Sequence, residues 1–239
     1  MISGPWTSKG HFRSRDGLYG YPLTVADQHT RYRLACHGLL STKGQGVRPI
    51  FERLFREYGL PRAIRPDNGV PFAPTGIHGL SQLNVWWRHL GIQHQRILPA
   101  SPQQNGAHER MHRTLKAATA RPPQGHVVAQ QRSFNRFRIV SNEERPHQFL
   151  AGATPASLSR PSPRQYTGGL PPIEYPGHYI PKRVTNAGTI RFKQRLLFIA
   201  NSLKQQVPGL EEVDDGVWSI YFCNVLLARV HQRDYVIRA

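Results

Sequence analysis

Acidic residues, cysteine and long apolar runs are all scarce in this 239-residue chain. No apolar run approaches the roughly 20 residues that a membrane-spanning helix needs, and no secretory signal precedes the first charged residues. We therefore expect a cytoplasmic protein that has no membrane association. Its two cysteines, Cys36 and Cys223, lie far apart in apolar stretches. Because cytoplasmic thiols are kept reduced, we predict two free cysteines rather than a disulfide.

The shortage of acidic residues leaves a large excess of positive charge. Lys and Arg number 32 against 14 Asp and Glu, which gives a net charge of +18. A field of this sign attracts polyanions, nucleic acid first among them. The basic residues are spread through segments with folded patterns, which favours an extended phosphate-contacting surface over a disordered basic arm. Charge alone does not separate a DNA-processing enzyme from a structural DNA-binding protein.

Strands and helices alternate in the first two thirds of the chain, which is typical of a mixed α/β sheet flanked by helices. Period-two patterns predict strands at Tyr21–Ala26 and Tyr32–His37. Predicted helices cover Val47–Tyr58, Leu80–Leu90, Gln104–Ala120 and Val127–Val140, with short strands at Pro61–Pro66 and Ile92–Leu98. Trp86 and Trp87 are predicted to be core residues.

The composition changes after this region. Prolines at 161, 163, 171, 172 and 176 lie among Ser, Arg and Gly, which indicates a linker or a chain draped over a surface. Short apolar runs with turn signals follow and predict a small all-β, barrel-like module. We therefore divide the chain into a core with trailing helices at 1–157, a Pro-rich linker at 158–176 and a β-module at 177–239.

Two of the few acidic residues occupy positions of interest. Asp67 directly follows the predicted strand at Pro61–Pro66, and Glu109 lies at the start of the predicted helix at Gln104–Ala120. A carboxylate at a strand end and another on a helix can converge on a hard divalent cation. Taken singly, Asp67 in Asp-Asn-Gly is also typical of a turn, and Glu109 is also typical of a first helical turn.

The segments around these two acids resemble a known family. DNGVPF at Asp67–Phe72 and SPQQNGAHER at Ser101–Arg110 are similar to the second and third parts of the Asp-Asp-Glu motif of insertion-sequence transposases with a retroviral-integrase-type core. The stretches YPLTVADQHTRY, FREYGL and NEERPH match as well. The resemblance covers roughly residues 9–160, and the separation of 42 positions from Asp67 to Glu109, more than is usual in the family, fits an inserted loop around Ala73–Gly79.

This resemblance implies an RNase H-like fold and metal-dependent phosphoryl transfer on double-stranded DNA, namely element ends and target. Asp67 and Glu109 would each be catalytic and each hold one of two Mg²⁺ or Mn²⁺ ions. The family carries a third acid in the first strand, just before the Lys-Gly-His-Phe stretch, and that position holds Thr7 here. Because Thr7 replaces an acid, this resemblance is also compatible with a truncated or degenerate copy of such a transposase. We therefore expect DNA binding with weak or no catalysis.

Basic residues near these motifs are the candidate DNA contacts. On the resemblance and on charge, we assign this role to Asn105, Arg110, Arg113, Lys116, Lys193 and Arg195. Two DNA ends must be joined together in such reactions, so the family implies at least a dimer. No small-molecule substrate is expected.

Two other functions remain open at this point. The first is a non-catalytic DNA-binding protein or decayed transposase, which Thr7 favours. The second is a zinc metallopeptidase, because His108–His112 reads HERMH and matches H-E-x-x-H. With 12 histidines in the chain, such a short match arises easily by chance. The polar Gln-Gln-Asn-Gly before it is also unlike the buried helix of zinc peptidases.

Overall fold

The computed structural model describes residues 2–4, 11–41, 46–66, 80–95, 106–120 and 122–238, with the backbone alone at 2–4 and 106–109. Two compact units account for the chain, residues 1–72 with 92–169 and residues 73–91 with 170–239. The domain boundaries 1–157, 158–176 and 177–239 stay a prediction. Of the helices in the described ranges, none combines the length and apolar character that a membrane crossing needs.

A mixed sheet forms the centre of the first unit. Its strands are β1 (Ile2–Gly4), β2 (Phe12–Arg13), β3 (Tyr19–Asp27), β4 (Arg33–Leu39), β5 (Ala63–Pro66) and β6 (Gln93–His94). β4 pairs with β3, and β3 pairs antiparallel with both β1 and β2. β1 then pairs parallel with β5, and β5 with β6. The sheet is thus antiparallel on one side and parallel on the other.

Helices cover both faces of this sheet. They are α1 (Val47–Tyr58), α3 (Gly106–Thr119), α4 (Val127–Ile139) and the single turn α5 (Pro155–Leu158). Cys36 on β4 packs with Leu115 of α3 and Phe134 of α4 in one apolar cluster. Since successive strand residues face opposite sides, Leu23 and Val25 on β3 point to the other face. Both are fully buried, and α1 packs against β4 there.

The end of α1 shows how the beginning of the Pro-rich segment is held. Gly59 ends the helix with φ of 76°, and a Cβ at this position would lie 2.6 Å from the carbonyl oxygen of Ser162. Leu60 N–H donates to the Arg164 carbonyl at 2.7 Å, and Ser162 N–H donates to the Tyr58 carbonyl at 2.8 Å. Only glycine combines this φ with so close a chain crossing, and residues 162–164 therefore lie draped over the first unit.

β4 pairs with only one strand of the described sheet, so its other edge would expose unpaired backbone groups. Two side-chain amides fill this role instead. Asn142 accepts from Arg33 N–H at 2.8 Å and donates to the Arg33 carbonyl at 3.0 Å. Gln131 on α4 accepts from Gly38 N–H and donates to the Cys36 carbonyl, both at 2.9 Å. The amides act as substitutes for a further strand.

Asn142 lies in an unusual continuation of α4. Residues Val140–Glu144 form a π-helical turn, in which Arg145 N–H donates to the Val140 carbonyl at 3.0 Å. Such wider turns inside or after α-helices are rare. Ser141 and Asn142 are buried while Glu143 and Glu144 face solvent. The turn therefore places the Asn142 amide against the edge of β4, and the 3₁₀ turn Gln148–Leu150 follows.

The second unit is built mainly from strands. A five-stranded antiparallel sheet has the order β13 (Ile237–Arg238), β12 (Val225–His231), β11 (Val217–Phe222), β10 (Gly209–Asp214) and β7 (Ile180–Pro181). A separate hairpin pairs β8 (Thr189–Phe192) with β9 (Arg195–Phe198), and the 3₁₀ turn Asn201–Leu203 follows. Helix α2 (Gln82–His89) belongs to this unit, and Val85 shares its apolar core with Ile190 and Phe222. The module is an open sheet with an attached hairpin in the described ranges.

The fold class expected from the sequence, an RNase H-like mixed sheet flanked by helices followed by a strand-rich module, is confirmed. Both cysteines are free thiols, as predicted. Burial raises the pKa of Cys36 to about 12 and that of Cys223 to about 11. Trp86 and Trp87 are core residues, also as predicted.

We expect Asn142→Ala to lower the free energy of unfolding of the first unit by about 2–4 kcal/mol, because it leaves the N–H and carbonyl of Arg33 without their buried partners. Urea-induced unfolding followed by circular dichroism measures the change. Glu144→Ala is the matched control, since Glu144 is exposed in the same π-helical turn, and its effect should stay within about 0.5 kcal/mol. Equal effects of the two variants would contradict the role given to Asn142.

Candidate active site and nucleic-acid interface

The strand that precedes Asp67 is part of the described sheet. β5 runs parallel to β1, and its last residue, Pro66, pairs with Gly4 at the end of β1. Asp67 comes next in the sequence but lies outside the described residues, as does Thr7. Glu109 belongs to the first turn of α3 by its backbone, and its side chain is outside the described part. The meeting of Asp67 and Glu109 therefore stays a prediction.

The predicted donors can be compared with the metal that the resemblance implies. Within the described ranges no group of three or more His, Cys, Asp or Glu side chains could hold an ion. The set made by Asp67, Glu109 and Thr7 offers only oxygen donors, which suits Mg²⁺ or Mn²⁺. It carries two negative charges, whereas two divalent ions carry four positive ones. The donor chemistry fits these metals, and the charge fits one ion better than two.

Helix α3 has one buried face and one exposed face. His112, Leu115 and Thr119 follow the helical spacing and are buried. Arg110 and Arg113 are exposed, whereas Lys116 is half-buried. Asn105 lies outside the described residues. The structure therefore leaves two of the predicted DNA contacts on α3, Arg110 and Arg113, accessible to a phosphate.

Arg110 lines a pocket that the sequence did not reveal. The pocket lies in the first unit and has a volume of about 500 Å³. We call it the arginine pocket, and its basic and aromatic lining is Arg31, Arg33, Arg110, Arg145, His147 and Phe149, with Asp27 as the acidic residue beside them. In the sequence, only the stretch NEERPH at Asn142–His147 pointed to this region. It matched the family but did not indicate what its arginine and histidine do.

The predicted contacts in the second unit are Lys193, which lies in the turn of the β8–β9 hairpin, and Arg195, which begins β9. Both are exposed. The Lys193 ammonium lies 5.8 Å from the Trp218 ring centroid and donates to Gln232. The Arg195 guanidinium lies 4.6 Å from the Tyr235 ring centroid. Cation–π contacts of this kind restrict the two side chains while their charges stay in solvent.

His112, the second histidine of the HERMH match, has a packing role. It is 8% exposed, and its Nε2 lies 3.1 Å from the hydroxyl of Thr24 on β3. A zinc-peptidase helix needs both histidines free to bind the metal on one face. A ring nitrogen engaged by Thr24 instead fastens α3 to the sheet. The zinc alternative thus gains no support from the geometry.

The comparisons with known proteins agree with the fold. Residues 90–155 match the family model described as an integrase core domain. The Pol polyprotein of Feline endogenous virus ECE1 is 27% identical over 155 residues, which cover 65% of this chain and 13% of the polyprotein. The IgE-binding protein of Mus musculus is 30% identical over 138 residues, which cover 52% of this chain and 23% of that protein. This chain therefore spans less than a quarter of these relatives' length.

Two solved structures resemble this chain at low sequence identity. A chain of the simian T-cell lymphotropic virus intasome in complex with PP2A regulatory subunit B56 gamma superposes with a TM-score of 0.53 and 15% identity, over 97% of this chain and 79% of that chain. The HTLV-2 integrase catalytic core domain in complex with magnesium gives a TM-score of 0.49 and 14% identity, over 66% and 93% of the two chains.

The sheet order and the matched family model point the same way. This chain resembles catalytic cores of the integrase and transposase type over residues 90–155, and it has the RNase H-like fold of integrase cores. The matched residues include the whole of α3, and hence Glu109, and extend to the start of α5.

We expect His112→Ala to lower the free energy of unfolding by about 2–4 kcal/mol, because it removes a buried side chain and its hydrogen bond to Thr24. His29→Ala, at an exposed histidine of the same unit, should change it by no more than about 0.5 kcal/mol. Elemental analysis of the purified chain should find zinc far below one atom per chain. Stoichiometric zinc that disappears in the His112 variant would reverse this interpretation.

Proposed function

We propose that this chain binds DNA and acts in DNA integration or transposition, as a polynucleotidyl transferase core whose chemistry is weakened at Thr7. The observation that carries the proposal is the match of residues 90–155 to an integrase core domain. The order of the six strands and the net charge of +18 support it.

In the proposed mechanism the chain itself binds and orients. Asp67 and Glu109 would hold the metal, which when bound stabilises the charge that develops on the attacking and leaving oxygens of a phosphodiester. The attacking group is a water molecule for nicking and a 3′-hydroxyl for joining. No side-chain nucleophile is required, so catalysis depends on where the two carboxylates and the neighbouring cations place the scissile phosphate.

Thr7 determines how well this arrangement works. The family has a third carboxylate at this position, whereas Thr7 offers a neutral hydroxyl. The loss of one negative charge weakens binding of divalent ions and leaves two such ions less shielded from one another. We therefore propose DNA binding with weak catalysis. A DNA-binding protein without catalytic activity is the second candidate, and Thr7 is the observation that favours it.

The proposed DNA contacts come from both units. Arg110 and Arg113 are exposed on α3, next in sequence to Glu109, and would contact phosphates near the reacting strand. Lys193 and Arg195 would contact phosphates from the second unit. We also propose that the protein acts as a multimer on double-stranded DNA, because joining two element ends to a target needs more than one active site.

Thr7→Asp should raise metal-dependent strand cleavage and joining by at least about tenfold, since one carboxylate at a metal site contributes several kcal/mol of charge stabilisation. Nicking of supercoiled plasmid in Mn²⁺ measures this without knowledge of the element ends.

Thr7→Asn is the matched control, since it changes the side chain without adding charge, and it should show no gain. Adding Asp67→Asn to the Thr7→Asp chain should abolish the gained activity. Robust joining by the unaltered chain, or an equal gain in Thr7→Asn, would contradict the role proposed for Thr7.

The double variant Lys193→Ala with Arg195→Ala should bind duplex DNA about tenfold more weakly at moderate salt, and the slope of log affinity against log salt should fall by about one per lost phosphate contact. Fluorescence anisotropy of a labelled duplex measures both. Lys204→Ala with Arg229→Ala removes the same charge from exposed positions of the same unit. If both double variants lose affinity equally, the effect is one of net charge and not of these two contacts.

A further inference from the structure

The arginine pocket gathers positive charge from distant parts of the chain. Arg31 follows the turn after β3 and Arg33 begins β4, whereas Arg110 comes from α3 and Arg145 follows the π-helical turn. None of these four guanidinium groups takes part in an ion pair with another described residue. The charge is concentrated enough to depress neighbouring pKa values. Burial lowers the pKa of Arg33 and Arg145 lowers it further.

The one acidic residue that lines the pocket is already engaged. Asp27 accepts from the backbone N–H of Thr30 at 2.9 Å and from the Thr30 hydroxyl at 2.7 Å. Burial alone would raise the pKa of Asp27, but the hydrogen bonds from Thr30 and a nearby positive charge together lower it. The Asp27 carboxylate is therefore ionised and held by the turn, and one negative charge offsets only part of four positive ones.

Two polar atoms in the lining are buried and unpartnered among the described residues. Nε of Arg33 is one of them, and the Arg33 residue is only 7% exposed. Nε2 of His147 is the other. Native proteins rarely leave buried donors unpaired unless a water molecule or a ligand completes them. These two atoms thus point independently to an anionic or hydrogen-bonding ligand in the pocket.

An exposed aromatic ring stands at the same pocket. Phe149 is 68% exposed, and the Arg31 guanidinium lies 4.1 Å from its ring centroid. Backbone hydrogen bonds from Leu150 and Gly152 N–H to the His147 carbonyl close the turn that presents the ring. Arg31 itself has φ of 61°, which is uncommon for a residue with a side chain. The Phe149 ring is therefore held in place with much of its surface open.

We propose that the arginine pocket binds an unpaired nucleotide of a DNA strand, with the guanidinium groups holding its phosphate and Phe149 stacking on its base. This inference rests on the proposed function for the identity of the polymer. Guanidinium groups match phosphate oxygens in charge and geometry. Stacking of bases on aromatic rings is the common means of holding unpaired nucleotides. A volume of about 500 Å³ is in the range of small-ligand sites.

The pocket shares Arg110 with the proposed DNA contacts next to Glu109 and extends from there toward β3. It reaches β3 at Asp27, which pairs with Ile2 at the start of β1. Asp67 instead follows Pro66, which pairs with Gly4 at the other end of β1. A nucleotide that reaches from Arg110 toward Asp27 would therefore extend away from the strand end that leads to Asp67. Its role would be to hold a frayed or overhanging strand rather than to present the scissile bond.

The test compares two DNA probes on the full chain in the absence of divalent metal. One is a blunt duplex, and the other has the same total number of phosphates but ends in a two-nucleotide 5′ overhang that carries 2-aminopurine. We expect the overhang probe to bind about tenfold more tightly, and its 2-aminopurine fluorescence to fall on binding because the base stacks. A deoxydinucleotide should compete with the overhang, whereas inorganic phosphate at the same concentration should compete less.

Variants of Phe149 decide whether this ring is responsible. Phe149→Ala should remove both the preference for the overhang and the fluorescence change, whereas Phe149→Trp should keep them. Phe198→Ala removes another exposed phenylalanine, 52% exposed, from the second unit and should have no effect. Arg145→Ala should weaken overhang binding more than Arg136→Ala, which removes the same charge from an exposed position of α4.

The outcomes separate this inference from the proposed function. Duplex binding without any preference for the overhang, or a preference that survives in Phe149→Ala, would overturn the nucleotide pocket and leave the proposed function intact. Failure to bind either DNA probe would instead remove the proposed function. A further comparison uses unlabelled overhang DNA as a competitor against the labelled overhang probe. If the deoxydinucleotide competes more strongly than the unlabelled overhang DNA, free nucleotides and not strand ends are the ligand, and the assignment to DNA is overturned.

Discussion

The hydrogen bonds between side-chain amides and the open edge of β4 are the constraint on which the first unit depends. Asn142 and Gln131 complete the backbone of this edge strand and tie α4, with its π-helical extension, to the sheet. Without them, β4 would present a row of unpaired donors and acceptors, which is the usual starting point for strand-to-strand aggregation. The same bonds determine where the chain goes next. The segment that carries Arg145, His147 and Phe149 begins at the turn that Asn142 holds.

Electrostatics then decides what the structure can bind. A chain with a net charge of +18 is expected to spread its cations apart, since like charges repel and desolvation adds to the cost. The first unit instead brings four arginines to one pocket and leaves them without carboxylate partners in the described structure. In the second unit, Lys193 and Arg195 are held against aromatic rings. Such arrangements are stabilised when an anionic partner supplies the missing charge. The arginine pocket and the hairpin cations would each be a place where such a partner binds.

The sequence predicted local structure well and through-space assembly poorly. Helix Val47–Tyr58 was predicted residue for residue, because its apolar spacing is regular and Gly59 ends it. Strand β10 was missed, since GLEEVD places three acidic residues where alternation would require apolar ones. The arginine pocket was missed for a different reason: its residues come from distant parts of the chain, and no linear pattern links Arg31 with Phe149, which are 118 positions apart. For Asp67 and Glu109, the resemblance to the Asp-Asp-Glu motif was the evidence for a role in metal binding, and that role still rests on it.

The π-helical turn at Val140–Glu144 makes the length of this segment as important as its composition. Each residue advances a helix by about 100°, so the extra residue in the wide turn rotates everything that follows. Losing one residue here would turn the Asn142 amide away from β4 and swing Arg145 to another side of the helix axis. Substitutions at the exposed Glu143 and Glu144 leave that phase unchanged. The exposed side chains of this segment can therefore change without consequence for the fold. Its number of residues cannot, because both the Asn142 contact with β4 and the direction of Arg145 depend on it.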